Sequence, residues 1–166
     1  MKNNIILIGM PGCGKSTVGV LLAKLIGYSF IDSDLLIQQS EGRKLFEIIN
    51  EKGNDYFAAI EERINSEIDT ENTVIATGGS VIYGEKAMRH LKDIGTVVFL
   101  RVELCELERR ITNLNTRGIV FKDGEGLGEL FLERTPLYEK YADITVDCNT
   151  ESLLENAEKI ATAINM

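Results

Sequence analysis

A run of eight residues near the amino terminus combines glycine, lysine and serine at the spacing of a phosphate-binding loop. It extends from Gly9 to Ser16 and fits the pattern G-x-x-x-x-G-K-[ST] without a mismatch. Glycines let the backbone curl so that successive N–H groups point at an anion, and a following helix adds partial positive charge. The ammonium group of Lys15 can reach the β- and γ-phosphates of a nucleotide, and the Ser16 hydroxyl can bind Mg²⁺. The loop predicts a nucleoside triphosphate site with six binding residues, which are Gly12, Cys13, Gly14, Lys15, Ser16 and Thr17.

The flanking sequence favours this interpretation over a glycine-rich turn that matches by chance. Residues 4–8 form an apolar run that predicts a buried strand, and apolar residues recur at helical spacing over 18–25. Gly27 ends that helix, and residues 28–31 predict a second strand. Strand, helix and strand within about thirty residues are typical of a parallel βαβ unit. Ligands of such sheets bind at the carboxyl ends of the strands.

Two aspartates, Asp32 and Asp34, follow the second strand and should therefore lie beside the phosphate loop. Asp32 can hold Mg²⁺ together with Ser16, directly or through water. Asp34 can accept hydrogen bonds from substrate hydroxyl groups and can orient or deprotonate the attacking one. The alternative role for either aspartate is the N-cap of the next helix, and that role fits Asp34 better than Asp32.

The rest of the chain predicts a single α/β domain with a parallel sheet. Residues 33–69 contain helical patterns without a strand and predict a helical, substrate-binding subdomain. Further strands are expected at 73–76, 96–100 and 144–146, and further helices at 103–111, 129–141 and 153–164, the second of these broken by Pro136. Gly78 and Gly79 follow the third strand, where they indicate either close approach of a ligand or a simple turn. Residues 112–128, rich in glycine and containing Arg117, predict a lid that closes on the nucleotide, the alternative being a disordered loop.

Composition excludes several classes of protein. The net charge of −8 argues against a nucleic-acid partner, and the short apolar run at the amino terminus argues against a signal peptide or membrane span. Three cysteines without paired spacing indicate reduced thiols in a cytoplasmic protein. His90 lies in a polar stretch and is expected to be a surface residue without a partner. A monomer is expected, because no stretch resembles an obligate dimer seam.

These residues favour a small-molecule kinase within the nucleotide-binding classes. The guanine-reading Asn-Lys-x-Asp element of a small GTPase is absent from the sequence, and an oligomeric motor would normally be larger. Phosphoryl transfer requires charge neutralisation, alignment and exclusion of water. Lys15, the Ser16 and Asp32 pair, and Arg117 on a closing lid could supply these functions.

The chain also resembles the shikimate kinases over nearly its whole length. The similarity includes the phosphate loop, the Asp-x-Asp at 32–34, the glycine pair at 78–79, the segment 110–117 and the sequence ERTPLY at 133–138. It implies a three-layer α/β/α fold of the nucleoside monophosphate kinase type with strand order 2-3-1-4-5. It also implies transfer of phosphate from MgATP to the 3-hydroxyl group of shikimate, in aromatic amino-acid biosynthesis. The implied contacts are Asp34, Gly78, Gly79 and Ser80 with shikimate, Arg134 with its carboxylate, Arg117 with the phosphates, and Arg110 with the adenine face.

Three departures from the family pattern fall mainly on the acceptor side. Family members have arginine where this chain has Ala58, glycine where it has Ser80, and proline where it has Gly118 after Arg117. Loss of a charge-assisted hydrogen bond costs about 1.5–3 kcal/mol. Three readings stay open: a shikimate kinase in which Arg63 or Lys52 compensates, a kinase of another polyol or hydroxy acid, and a nucleotide-binding regulatory protein. Ser80 is expected to place its side chain where the family leaves room.

Overall fold

The computed structural model describes residues 3–111, 124–149 and 152–165 of the chain. Five strands form its central layer: β1 (Asn4–Ile8), β2 (Ser29–Asp32), β3 (Thr73–Ala76), β4 (Gly95–Arg101) and β5 (Ile144–Asp147). All the strand pairs are parallel, and the order across the sheet is β2-β3-β1-β4-β5. The predicted parallel sheet and its strand order are confirmed.

Seven α-helices lie within the described residues and alternate with the strands. They are α1 (Lys15–Ile26), α2 (Ser33–Glu41), α3 (Leu45–Ser66), α4 (Glu85–Ile94), α5 (Leu104–Arg110), α6 (Leu127–Tyr141) and α7 (Leu153–Ile164). A single turn of 3₁₀ helix, Val81–Tyr83, precedes α4. Within the described ranges, no helix combines the length and apolar character needed to cross a membrane.

The strand order explains why helices cover both faces of the sheet. The connection from β1 through α1 to β2 runs towards one edge, whereas the connection from β3 through α4 to β4 runs towards the other. Crossovers between parallel strands are almost always right-handed, so opposite directions place α1 and α4 on opposite faces. Accordingly, α1 packs against α7 and α4 packs against α3. The result is the expected three-layer arrangement.

The core follows from the continuous apolar character of the central strands. In β1, Ile6, Leu7 and Ile8 have no exposed surface, as expected for a strand that is covered on both faces. A second, smaller cluster of buried residues lies in α2 and α3 and consists of Ile37, Leu45, Ile48 and Phe57. Gly53 interrupts α3 with a φ angle of 83°, which bends the helix around this cluster. The role of residues 33–69 as a substrate-binding subdomain stays a prediction.

Two local predictions are wrong. α6 is not broken at Pro136 and begins at Leu127, two residues earlier than expected. The residue four positions before the proline, Leu132, is 74% exposed, so this side of the helix faces solvent. His90 was expected to lack a partner, but its Nε2 atom lies 2.7 Å from the carbonyl oxygen of Ile68 and joins α4 to the segment after α3.

Candidate active site

The loop between β1 and α1 curls around an open space at the carboxyl edge of the sheet. Gly12 and Gly14 have φ angles of 82° and 96°, a region that favours glycine. A Cβ atom at Gly12 would also collide with the side chain of Ile111. Gly12, Gly14, Ser16 and Thr17 line the space, and the first turn of α1 leaves backbone N–H groups without helical partners. This backbone is suited to hold a polyphosphate.

Lys15 and Cys13 lie on the inner side of the loop. The Lys15 ammonium group donates hydrogen bonds to the carbonyl oxygens of Gly9 and Met10, at 2.7 and 3.0 Å. The residue is 8% exposed and lines the cavity, so its charge lies where a phosphate would bind. The Cys13 side chain is fully buried in the core. Its predicted part in nucleotide binding can therefore come from its backbone.

Asp32 connects β2 with the phosphate loop. Its Oδ2 atom accepts a hydrogen bond from the Ser16 hydroxyl at 2.6 Å, which joins residues on two different elements. Its Oδ1 atom accepts a bond from the backbone N–H of Asp34 at 3.0 Å and caps α2. The capping role, which the sequence favoured for Asp34, belongs to Asp32 and leaves the Asp34 carboxylate available.

The side-chain oxygens of Ser16 and Asp32 are suitable ligands for Mg²⁺. A hydroxyl oxygen and a carboxylate oxygen are hard ligands, and Mg²⁺ in nucleotide sites uses one or two such groups with phosphate oxygens and water. The described residues contain no cluster of three or more histidine, cysteine or acidic side chains that would form a metal cage. A metal at Ser16 and Asp32 would therefore depend on nucleotide oxygens for its remaining ligands.

Asp34 lies at the start of α2 and lines the same cavity as the loop. Burial raises its pKa to about 6, with a smaller contribution from the charge of Asp32, while the charge of Lys15 opposes the shift. A carboxylate with a pKa close to neutrality can accept a proton from an alcohol at neutral pH. The position and the proton affinity both suit a general base.

The turn after β3 needs glycine for reasons of packing. A Cβ atom at Gly79 would lie 3.0 Å from the Arg134 guanidinium group and 3.0 Å from Pro11. A Cβ atom at Gly78 would lie 2.9 Å from Asp34 Oδ1 and would collide with Glu61 Oε1. Gly78 and Gly79 also line the cavity. They thus permit three charged side chains and the ligand space to approach one turn.

The side chain of Ser80 is turned towards the protein. Its hydroxyl donates a 2.6 Å hydrogen bond to Oε2 of Glu61 on α3. Ser80 was expected to place its side chain in space that the family leaves open. The residue does line the cavity, but its hydroxyl oxygen is directed at Glu61.

Arg134 comes from α6 and is 1% exposed. Its guanidinium carbon lies 5.4 Å from the centre of the Tyr83 ring, which supports the group from one side. The residue also lines the cavity, and its guanidinium group lies near Pro11 of the phosphate loop, since both are 3.0 Å from a Cβ atom placed on Gly79. A fixed planar cation at this position is suited to bind a carboxylate.

Arg110, the last residue of α5, also lines the cavity. Its Nε atom donates a hydrogen bond to Glu106 at 2.7 Å, and its Nη2 atom donates one to the carbonyl oxygen of Cys148 at 3.0 Å. Hydrogen bonds from Arg109 and then Arg110 lower the pKa of Glu106 to about 2. Arg117 lies outside the described residues, as do positions 112–123 of the predicted lid.

Glu61 is a cavity residue for which the sequence predicted no role. It is 3% exposed, and burial is the main cause that raises its pKa to about 7. The nearby charge of Asp34 acts in the same direction, whereas the Ser80 hydrogen bond and the charge of Arg134 oppose it. Glu61 lies four residues after the buried Phe57 on α3, so the two side chains share one face of the helix. This spacing is the sequence signal that could have placed Glu61 on the buried face.

Neither residue expected to compensate for Ala58 does so. Lys52 donates to Glu41 at 3.3 Å and to the Tyr56 hydroxyl at 3.0 Å. Arg63 bonds to Glu67 and to Ser40. Neither side chain lines the cavity, because these partners hold both on the outer side of the helical segment.

The described residues above line a central, open cavity of about 410 Å³, whose wall includes the phosphate loop together with Asp34, Glu61 and Arg134. A parallel sheet in this strand order, with a phosphate loop between β1 and α1 and an acidic residue facing the loop, defines a P-loop phosphotransferase. The cavity has room for a phosphate chain and for a small polar acceptor.

Comparison with known proteins specifies the family. The model of the family described as shikimate kinase matches residues 11–165. A shikimate kinase of Persephonella marina is 37% identical over 150 residues, which are 90% of this chain and 91% of that protein. A shikimate kinase of Clostridium botulinum is 40% identical over 159 residues, 92% of each chain.

Among solved structures, the shikimate kinase from Acinetobacter baumannii in complex with shikimate superimposes with a TM-score of 0.91 at 31% identity. The match covers 99% of this chain and 94% of that one. The chain belongs to the shikimate kinase family.

Proposed function

We propose that the protein is a shikimate kinase that transfers the γ-phosphoryl group of ATP to the 3-hydroxyl group of shikimate. The observation that carries this proposal is the central cavity, which the phosphate loop, Asp34 and Arg134 line together. Family membership supports the same reaction. The structure of the related Acinetobacter baumannii enzyme contains shikimate and supports the choice of acceptor.

The nucleotide would lie along the loop. Backbone N–H groups of residues 12–17 and the Lys15 ammonium group bind the β- and γ-phosphates, and Arg110 contacts the adenine. Ser16 and Asp32 would hold Mg²⁺, which would neutralise phosphate charge when bound. Arg117 belongs to this proposal through the family resemblance, as a cation that the lid brings to the phosphates.

The acceptor would lie beside the nucleotide in the same cavity. Arg134 binds its carboxylate, and the turn at Gly78, Gly79 and Ser80 contacts its ring. Asp34 orients the 3-hydroxyl group and takes its proton as the oxygen attacks the γ-phosphorus. The bond from that phosphorus to the β–γ bridging oxygen then breaks, and ADP leaves with the electron pair.

A second candidate is a kinase of the same fold that phosphorylates another hydroxy acid or polyol. The observation in its favour is a side cavity of about 300 Å³ next to the central one, which shares Phe57, Glu61 and Ser80 with it. Ala58 lines this side cavity, so its short side chain leaves space beside the acceptor site. A nucleotide-binding regulator with little turnover is a third candidate. A protein that only binds nucleotide has no need of Lys15, Ser16, Asp32 and Arg117 together, and this chain has all four.

An acceptor screen tests the proposal. ADP release from MgATP is measured with purified protein and shikimate, quinate or gluconate as the added alcohol. Stimulation by shikimate alone supports shikimate kinase activity. Stimulation by another alcohol and not by shikimate supports the second candidate, and nucleotide binding without any stimulated turnover supports the third.

Two further predictions accompany the proposed reaction. The enzyme is expected to act as a monomer, which light scattering of the purified protein measures directly. It is expected to act in the cytoplasm, where cysteines stay reduced, and the cysteines Cys13, Cys105 and Cys148 are all unpaired.

A further inference from the structure

Tyr83, in the 3₁₀ turn after β3, contacts two successive residues of α6. The guanidinium carbon of Arg134 lies over its ring, 5.4 Å from the ring centre. Its hydroxyl group donates a hydrogen bond of 3.1 Å to Oε1 of Glu133. One tyrosine side chain therefore contacts both the arginine proposed to bind the acceptor carboxylate and the residue before that arginine.

The segment 79–83 limits the guanidinium group of Arg134 at two points. A Cβ atom on Gly79 would lie 3.0 Å from Arg134 Nη1, so the backbone of the turn is close on one side, and the Tyr83 ring supplies the second contact. An aromatic face attracts a cation through the quadrupole of the ring, and the attraction is stronger when the cation is shielded from water, as it is here with Arg134 1% exposed. Holding an arginine in one conformation before its ligand arrives reduces the conformational entropy that binding costs.

Tyr83 and Arg134 belong to the walls of different cavities. Arg134 lines the central cavity, whereas Tyr83 lines the side cavity and is not among the described residues that line the central one. The tyrosine is 44% exposed, so it is not a core residue. A side chain in this place acts on an acceptor in the central cavity through Arg134 and not by contact.

Tyr83 shares the side cavity with Ala58. The cavity lies between α3, which carries Ala58, and the 3₁₀ turn, which carries Tyr83. The turn packs closely on α3 at this point, since a Cβ atom on Gly84 would lie 3.2 Å from the Glu62 side chain. The short side chain of residue 58 leaves this space open, and the tyrosine ring forms part of its wall.

We propose that Tyr83 positions Arg134 for the acceptor carboxylate and thereby compensates for the arginine that the family resemblance expects at residue 58. The inference rests on the proposed function, because it requires an acid as the acceptor. Two guanidinium groups can divide the oxygens of a carboxylate between them. A single guanidinium group binds both oxygens only when its plane is aligned with them, and the aromatic contact holds it in that alignment. Tyr83 is a positioning residue and not a catalytic one.

Steady-state kinetics of Tyr83→Leu with shikimate and MgATP test the proposal. Leucine fills part of the space of the ring but has no quadrupole that attracts a cation. The KM for shikimate should rise about three- to tenfold, while kcat and the KM for ATP should change by less than about twofold. Tyr83→Phe keeps the ring and should recover most of the wild-type KM.

Tyr141→Leu is the matched control. Tyr141 also lies against a cation, since the Lys140 ammonium group is 5.1 Å from the centre of its ring, and both residues belong to α6. Neither of them lines the central cavity or the side cavity. Loss of this contact should leave the KM for shikimate unchanged.

Ala58→Arg tests the compensation. The substitution should lower the KM by a larger factor in the Tyr83→Leu background than in the wild-type background, because a second guanidinium group makes the orientation of Arg134 less important. Two residues that act on one carboxylate are expected to be coupled in this way. Equal factors in the two backgrounds overturn the compensation.

An unchanged KM for shikimate in Tyr83→Leu overturns the inference, as does a Tyr83→Phe variant that loses as much as Tyr83→Leu. A fall in kcat at constant KM also overturns it. If circular dichroism shows that Tyr83→Leu does not fold, Tyr83→Met provides the same comparison, because a flexible methionine side chain fills irregular space without an aromatic face.

Wild-type turnover separates failure of the inference from failure of the proposed function. If the wild type phosphorylates shikimate and Tyr83→Leu keeps its KM, only the role of Tyr83 is wrong. If the wild type does not phosphorylate shikimate, the proposed function fails, and the inference fails with it.

Discussion

The Tyr138 hydroxyl donates a 2.6 Å hydrogen bond to the carbonyl oxygen of Gly79. This bond joins α6, which carries Arg134, to the turn after β3. Tyr138 is fully buried, and its ring stacks on that of Phe99 in β4 with the two ring centroids 5.2 Å apart. Burial raises the pKa of its hydroxyl above the usual range, so the group remains a donor at any working pH. The bond therefore fixes the distance between the proposed carboxylate-binding arginine and the glycine turn.

Tyr138→Phe removes this bond and leaves the Gly79 carbonyl group without its donor. We expect a loss of unfolding free energy of about 1–3 kcal/mol, because the ring can still pack while the polar atom is left unsatisfied. The KM for the acceptor should increase, since Arg134 and the turn lose their fixed spacing. Urea unfolding and steady-state kinetics measure the two effects. Tyr141→Phe on the same helix is the control, and equal effects of both variants would contradict the assigned role.

Lys15→Ala should reduce turnover to a small residual rate and leave the fold intact. The ammonium group bonds to two loop carbonyl oxygens and is the cation nearest the expected β- and γ-phosphates. Removing a group that stabilises transition-state charge typically costs about 10²–10³ in kcat. Phosphate-transfer assays and circular dichroism check the two parts. Lys24→Ala, exposed near the end of α1, should keep full activity. A kcat of Lys15→Ala close to that of the wild type would show that the phosphates bind elsewhere.

Asp32→Asn should weaken the binding of Mg²⁺ without unfolding α2. Asparagine also caps helices, so the bond to the backbone of Asp34 can be kept. The carboxylate charge that would hold the metal with Ser16 is lost. We expect the Mg²⁺ concentration for half-maximal rate to rise by roughly 10- to 100-fold. Asp55→Asn, exposed on α3, is the matched control. An unchanged Mg²⁺ requirement would exclude Asp32 from the metal site.

The sequence was sufficient to predict the sheet, because its apolar strands and glycine loop are local patterns. β3 was predicted with the observed bounds, 73–76, and α7 with the observed bounds, 153–164. The predicted break at Pro136 was wrong because the effect of a proline depends on whether its side of the helix is exposed. That exposure is set by tertiary structure and not by local sequence. The capping role of Asp32 could not be separated from that of Asp34 by residue type, since both aspartates suit it.

The acceptor side of the site was harder to predict than the phosphate side. A phosphate loop is contiguous in sequence, whereas Glu61, Ser80 and Arg134 come from α3, a turn and α6 and meet only in the fold. Arg63 and Lys52 were plausible compensating cations by charge alone. Their partners Ser40 and Glu41, on α2, hold them outside the cavity, and this pairing leaves no trace in the local sequence.

Ala58→Arg should lower the KM for shikimate several-fold. Residue 58 lines the side cavity together with Phe57, Glu61 and Ser80, so a guanidinium group introduced there can reach towards the carboxylate site. One charge-assisted hydrogen bond is worth about 1.5–3 kcal/mol, part of which the cost of ordering a long side chain offsets. Gln39→Arg adds the same charge at an exposed position of α2 and should leave the KM unchanged. An unchanged or higher KM in Ala58→Arg would count against shikimate as the acceptor.

Glu61→Gln should change how stability depends on pH. The pKa of Glu61 is about 7 in the folded protein and 4.5 in the reference state, so the folded state binds the proton more tightly. The stabilisation is therefore fully present below pH 4.5 and is lost as the pH rises through 7. Glutamine cannot ionise, so the variant escapes this loss. Its unfolding free energy relative to wild type should increase by up to about 3 kcal/mol between pH 5 and pH 8. Urea unfolding across this range measures the difference, and parallel pH profiles for the two proteins would show that Glu61 is ionised throughout.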